Sequence, residues 1–130
     1  MFLLVSLLLS PLAGWSVDEA VITTVSTGEK MSPQSHLVAG RFVIFDFYAD
    51  WCGPCRKWAP TIERIAEKYP DNVVVRKVDI QNWGTPVAIQ HNIKRLPYLW
   101  LYGPNGKRVR EGHPRQVLDY LERKAKKGGW

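Results

Sequence analysis

The sequence predicts an α/β fold, a central mixed β-sheet flanked by helices on both faces. Three observations carry this. Short runs rich in Val, Ile and aromatic residues alternate with segments whose apolar residues recur at helical spacing, the pattern of crossover units that pair strands in parallel. Gly103-Pro104-Asn105-Gly106 then joins two strand-like runs in a tight hairpin, which adds an antiparallel edge. With 130 residues, 45% of them hydrophobic and 23% charged, the chain can bury a sizeable core without disulfide staples.

Each element has its own signal. Val21-Ile22-Thr23-Thr24-Val25 is β-branched and reads as a first strand, with a turn at Ser26 to Lys30. Ser32 to Ala39 reads as a short helix, Ser32 its N-cap and Pro33 its first residue. Phe42 to Ala49 is nearly all apolar and aromatic, a buried strand. Trp58, Ile62, Ile65, Ala66 and Tyr69 follow helical spacing until Pro70 ends the run, and Pro60 is expected to kink that helix. Asp71-Asn72 turns the chain into a strand at Val73 to Asp79. Gly84-Thr85-Pro86 opens a short helix reaching Asn92, with Thr85 as cap. Tyr98 to Tyr102 and Lys107 to Arg110 are the hairpin strands. Pro114 opens the last helix, with Val117, Leu118 and Leu121 as its apolar stripe.

The chemistry lies in Trp51-Cys52-Gly53-Pro54-Cys55, which holds both cysteines of the chain. These thiols fall where a buried strand passes into a helix N-terminus. Unpaired N–H groups and the positive end of the helix dipole stabilise an anion there, so a thiol is expected to have a lowered pKa and to react as thiolate. Cys52, at the helix start, is expected to face solvent and attack. Cys55, about one turn on, points back and resolves the mixed disulfide. Gly53 allows a partner's backbone to approach. Pro54 stiffens the loop without losing a needed N–H. Two cysteines four residues apart, ends included, cannot staple a fold, and His36, His91 and His113 lack the spacing that would complete a zinc site.

The stretch Asp46-Phe47-Tyr48-Ala49-Asp50-Trp51-Cys52-Gly53-Pro54-Cys55-Arg56, with Pro60 and the later Leu96-Pro97, resembles the thioredoxin superfamily over roughly residues 40 to 125. The resemblance implies the thioredoxin fold and a thiol–disulfide oxidoreductase, a protein-disulfide reductase whose Cys52/Cys55 pair cycles between dithiol and disulfide. It implies that Asp46 is a buried acid serving the resolving cysteine and that Lys77, on the next strand, sits near it. It also implies a cis Leu96–Pro97 bond facing the cysteines, with the backbone of Leu96 pairing with substrate, and Trp51, Gly53 and Pro54 forming the rest of the substrate surface. Tyr98 departs from the small polar residue common after that proline. Trp83 and Trp100 read as packing, and His91 and His113 as non-catalytic, although Gly112-His113 is placed near the groove. No metal, flavin or nucleotide is implied, since the cysteine pair is itself the redox group. Partners are protein disulfides and an electron-donating thiol–disulfide protein, and the chain is expected to be a monomer. The rival readings are a disulfide oxidase or isomerase, and a binding or chaperone module.

Residues 1–16 carry no charge. Phe2 to Leu9 is apolar apart from Ser6, and Ser10 to Gly14 breaks the run. This reads as a secretory signal peptide, with Gly14 and Ser16 at the small-residue positions, cleavage after Ser16 and a domain over 17–130. The run is shorter than the roughly 20 residues of a spanning helix. The expected location is therefore extracytoplasmic, periplasmic or secreted. The alternatives are an uncleaved membrane anchor or a cytoplasmic protein. Net charge is +6, and residues 107–130 hold eight Lys or Arg against three Asp or Glu. Such a helix face is solvated, or could meet a membrane or an acidic partner. No aromatic-interleaved basic patch points to nucleic acid.

Overall fold

The computed structural model describes residues 19–130, so the leader assigned to 1–16 and a mature start at Val17 lie outside the described residues. The elements are β1 (Ile22–Thr27), a 3-10 turn (Pro33–His36), β2 (Phe42–Tyr48), α1 (Gly53–Lys68), β3 (Val73–Asp79), α2 (Pro86–Gln90), β4 (Tyr98–Tyr102), β5 (Arg108–Gly112) and α3 (Pro114–Lys126). The sheet order is β1-β3-β2-β4-β5. β2 occupies the centre, parallel to β3 and antiparallel to β4. Its composition explains the position: all of its residues but Tyr48 are buried, which only a strand covered on both faces can sustain. The more exposed Arg-rich β5 forms one edge, where charge discourages further pairing.

Alternation along β2 splits the core into two layers. Val43, Phe45 and Phe47 pack with Val74, Val78 and Trp100, and with Val87 and Ala88 of α2. Ile44 faces the other way, with Val75, Leu99 and Leu101, under Ile62, Ile65 and Ala66 of α1 and Val117, Leu118 and Leu121 of α3. Each such buried aliphatic or aromatic side chain contributes about 1.5–3 kcal/mol. α1 continues through Pro60 to Lys68, held by that apolar stripe.

The expected helix over Ser32 to Ala39 is instead a single 3-10 turn, Pro33–His36. Ser32 makes no side-chain cap bond, and Leu37 takes an extended conformation so that it and Val38 pack against the core. α2 stops at Gln90, short of the expected Asn92, which adopts a positive φ of 52°. Thr85 does precede α2, but its hydroxyl donates backwards to the carbonyl of Ile80 at 2.6 Å instead of capping forward. Sequence reasoning did not single out Arg76, which is buried in β3. A buried guanidinium is tolerable only when its donors are met. Here they reach Glu19 at 2.6 Å, the Ala20 carbonyl at 2.8 Å, Thr23 at 3.0 Å and the His36 carbonyl at 3.2 Å.

This topology sorts the loops. The segments after β2, after β3, before β4 and after β5 all emerge at one end of the sheet, because β4 runs opposite to β2 and β5 opposite to β4. The start of β1, the β4–β5 turn and the end of α3 gather at the other end, where Trp130 packs edge-on against Phe42 at 5.7 Å.

Candidate active site

Beyond Tyr48 the chain turns so that the Cys52 N–H donates to the Ala49 carbonyl at 3.0 Å. Cys52 is the N-cap of α1, with extended backbone (φ −84°, ψ 101°), and its Sγ accepts the N–H of Cys55 at 3.2 Å. A sulfur thus takes the place of the usual capping oxygen and meets one of the helix's orphan donors. Cys52 and Cys55 are joined in a disulfide, their Cα atoms 5.2 Å apart. Pro54 stands exposed in the first turn, where a missing N–H costs nothing. A Cβ on Gly53 would meet nothing within 4 Å, so no neighbour among the described residues demands glycine there.

One expectation is corrected. Cys52 is not the open, solvent-facing member of the pair, for it and Cys55 are each only 4% exposed. The cap geometry explains this, since accepting the Cys55 N–H folds the Cys52 side chain back over the first turn. Position still separates the two sulfurs. Cys52 receives a backbone donor and precedes the helix, whereas Cys55 lies inside it.

Asp46 is 3% exposed, in the middle of β2. Its register partners are Lys77 on β3 and Leu99 on β4. By alternation it shares a face with Ile44, the layer covered by α1, so it lies on the same side of the sheet as the helix bearing Cys55. Burial lifts its carboxyl to about 7; the positive charge of Lys77 pulls the other way, and the negative charge of Glu63 adds to the rise. Lys77 does stand beside Asp46, but its ion pair is with Glu63 of α1 at 3.2 Å, and its ammonium also lies 4.8 Å from the centre of the Tyr48 ring. Burial alone would lower the Lys77 pKa, but the hydrogen bond and charge of Glu63 outweigh it and raise it.

The rim comes from the remaining loops. Trp51 is 53% exposed, and its indole N–H donates to the Gln81 carbonyl at 2.6 Å. Trp83, read from sequence as packing, is 46% exposed and meets Trp51 edge-on at 5.6 Å. The two form an aromatic ridge beside the disulfide. Its signal in the sequence was a tryptophan within the polar turn Gln81-Asn82-Trp83-Gly84. The Leu96–Pro97 bond is cis, and both residues line a groove of about 700 Å³ with Gly112 and His113. His91 binds the Met31 carbonyl through Nε2 at 2.8 Å and packs on Trp100 at 5.0 Å, which ties it into the structure. Among the described residues no group of three or more His, Cys, Asp or Glu is placed to hold a metal ion.

The raised Asp46 pKa makes stability depend on pH. Below about pH 4 the carboxyl is protonated in both states. Between there and about 7 the folded chain keeps the proton that the unfolded chain has lost. Stability therefore falls as pH rises through that window, by roughly 1.4 kcal/mol per pH unit for this one proton. With the disulfide intact, Asp46→Asn is expected to unfold at higher urea than wild type at pH 8, the two converging near pH 4. Parallel pH profiles for the two proteins would show that another group is responsible.

The thioredoxin family model matches residues 25–127. The chain is 33% identical over 86 residues to Thioredoxin-T of Drosophila melanogaster, covering 65% of this chain and 54% of that protein. It is 43% identical over 67 residues to Thioredoxin 1 of Synechococcus elongatus, covering 52% and 61%. Thus the matched stretch spans about half to three fifths of the length of these relatives. Among solved structures, the reduced thioredoxin pre-protein of Schistosoma mansoni superposes with a TM-score of 0.60 at 26% identity, covering 77% of this chain and 96% of that one. The mixed sheet, the cis proline and the capped cysteine pair agree with these likenesses, and the chain belongs to the thioredoxin family.

Proposed function

We propose that the chain is a thiol–disulfide oxidoreductase that reduces disulfides in other proteins. The observation that carries this reading is the cysteine pair on the cap of α1, with a backbone N–H aimed at Cys52 Sγ. In the reduced protein that donor stabilises a thiolate on Cys52. The thiolate attacks one sulfur of a substrate disulfide, that S–S bond breaks, and the second substrate sulfur leaves as a thiol after taking a proton. Cys55 then gives up its proton and attacks Cys52 Sγ. The mixed disulfide breaks, the substrate's other thiol is released, and the protein is left as the observed disulfide. Two electrons and two protons pass to the substrate. Asp46, on the face beneath α1 and with a pKa near neutrality, suits the proton of Cys55. Lys77 serves by tuning that carboxyl. Trp51, Gly53, Pro54, Leu96 and Pro97 form the substrate surface, with the Leu96 backbone offered to an extended segment. A separate thiol–disulfide protein returns the electrons, and the chain works as a monomer.

Insulin reduction by the chemically reduced protein tests this reading. Wild type is expected to turn over, Cys52→Ser to be inactive, and Cys55→Ser to accumulate mixed disulfides. Retained binding without turnover in wild type would instead favour a binding or chaperone module.

Direction follows from what surrounds Cys52. Pro54 supplies neither charge nor side-chain donor to the thiolate, and Asp46 is a potential negative charge behind the pair, so the thiolate is only moderately stabilised. A potential nearer the roughly −270 mV of thioredoxin than the roughly −120 mV of a strong periplasmic oxidant is expected; both are reference values of those proteins. Pro54→His is expected to raise it. Equilibration with glutathione buffers gives the potential directly, and a value above about −180 mV, the isomerase range, would favour an oxidase or isomerase.

The apolar opening segment supports export, with the mature chain beginning near Val17. Among the described residues no helix is long and apolar enough to cross a membrane. The chain enters the sheet at β1, at the end away from the disulfide, where the basic residues Arg123, Lys124, Lys126 and Lys127 also lie. Were the leader retained as an anchor, this arrangement would hold the cysteines away from an anionic surface. N-terminal sequencing of protein from an exporting host is expected to read from Val17; intact Met1 on soluble cytoplasmic protein would overturn export.

A further inference from the structure

We propose that the groove beside the Leu96–Pro97 bond selects substrate disulfides flanked by acidic residues. This rests on the reading of the chain as a disulfide reductase and adds a substrate class to it. The groove runs from Pro97 along β4 and β5, about 700 Å³ in volume, and its charged walls carry Lys94, Arg95 and Arg108 against the single acid Glu111. Glu111 is already engaged, its Oε2 accepting the Tyr98 hydroxyl at 2.8 Å. Arg108 is held in place, its guanidinium carbon 4.3 Å from the centre of the Trp100 ring. Lys94 and Arg95 are exposed and immediately precede Leu96, so an extended segment laid along the Leu96 backbone passes between these cations.

The helix starts at this end have the same sign. Arg56 and Lys57 on α1 and Arg115 on α3 are exposed, and neither helix has an acidic residue in its first turn. The acids at this end are Glu29, Asp50, Asp79 and Glu111; Glu29 accepts the Thr27 N–H at 2.9 Å and Asp79 the Gln81 N–H at 2.8 Å. A partner entering with Asp or Glu beside its cystine meets a converging positive field, whereas a Lys-flanked one is repelled. Because the cations are solvent-exposed, the effect lies in encounter and KM more than in the chemical step, and it weakens with salt.

The test uses three synthetic peptides of equal length, each closed by one disulfide and flanked by Glu, by Gln or by Lys. The reduced full-length protein is assayed on each at low ionic strength. The expected order of kcat/KM is acidic, then neutral, then basic, with about tenfold between the extremes. The difference should reside in KM and shrink toward unity at 0.5 M salt. Lys94→Glu with Arg108→Glu should reverse the order. Neutral replacements, Lys94→Gln with Arg108→Gln, should flatten it if the reversed variant does not fold. Arg123→Glu, at the far end, should change nothing. Equal turnover of all three peptides by wild type, or a preference that survives both groove variants, overturns the groove while leaving the reductase reading intact. Turnover of none sinks both.

Discussion

One backbone N–H, that of Cys55, ends on the sulfur of Cys52, and the active end of the molecule depends on that bond. It exists because a strand buried on both faces stops at Tyr48 and a helix starts four residues after Ala49, with no polar side chain other than a thiol at the capping position. A helix terminus must satisfy its orphan donors. A serine there would give only stability. A cysteine gives a sulfur whose negative form is favoured by the same donor and by the dipole behind it. Cap and nucleophile are therefore one interaction, and the cost of closing the cap is that Cys52 is buried as deeply as Cys55.

Beneath that cap the fold tolerates a carboxyl in its core. Asp46 takes a position that an aliphatic residue would fill with a gain of about 1.5–3 kcal/mol. The nearest opposite charge does not compensate it, because Lys77 spends its hydrogen bond on Glu63. At Asp46 the lysine's pull and the glutamate's push oppose one another, so desolvation decides. A direct Asp46–Lys77 pair would have held the carboxylate ionised and useless for taking up a proton near neutral pH. Routing the lysine to α1 keeps the acid poised.

The sequence made the element order, the mixed sheet and the placement of the cysteines legible because they follow from local pattern: the run Phe42 to Tyr48, the run Val73 to Asp79 and the Gly103 to Gly106 turn. It also led to Asp46 and the cis proline, through the resemblance of their surroundings to a family. It failed where tertiary contacts overrule local signals. Ser32 and Pro33 promise a helix, yet Leu37 and Val38 are worth more packed on the core. Arg76 is just one residue of a strand run until Glu19, Ala20 and Thr23 from one stretch and His36 from another are brought around it. Trp83 becomes part of the site only because Gln81, at a φ of 61°, turns the loop so that Trp51 can bind its carbonyl and meet the second indole.

The same logic divides the active end into a dry side and a wet side. On the dry side, Cys55 of α1 and Asp46, on the sheet face it shares with Ile44, are both buried, and there a proton and not a bulk ion is the natural carrier of charge. On the wet side, Trp51, Pro54, Lys94, Arg95 and Arg108 are exposed, where long-range charge acts on whatever approaches. Disulfide exchange needs both environments. In the proposed reaction the attacking sulfur meets an aqueous partner and the resolving sulfur passes its proton toward the buried side. A sequence separation of three lets a single helix turn carry both sulfurs, and the disulfide is buried although Trp51 and Pro54 beside it in sequence are exposed.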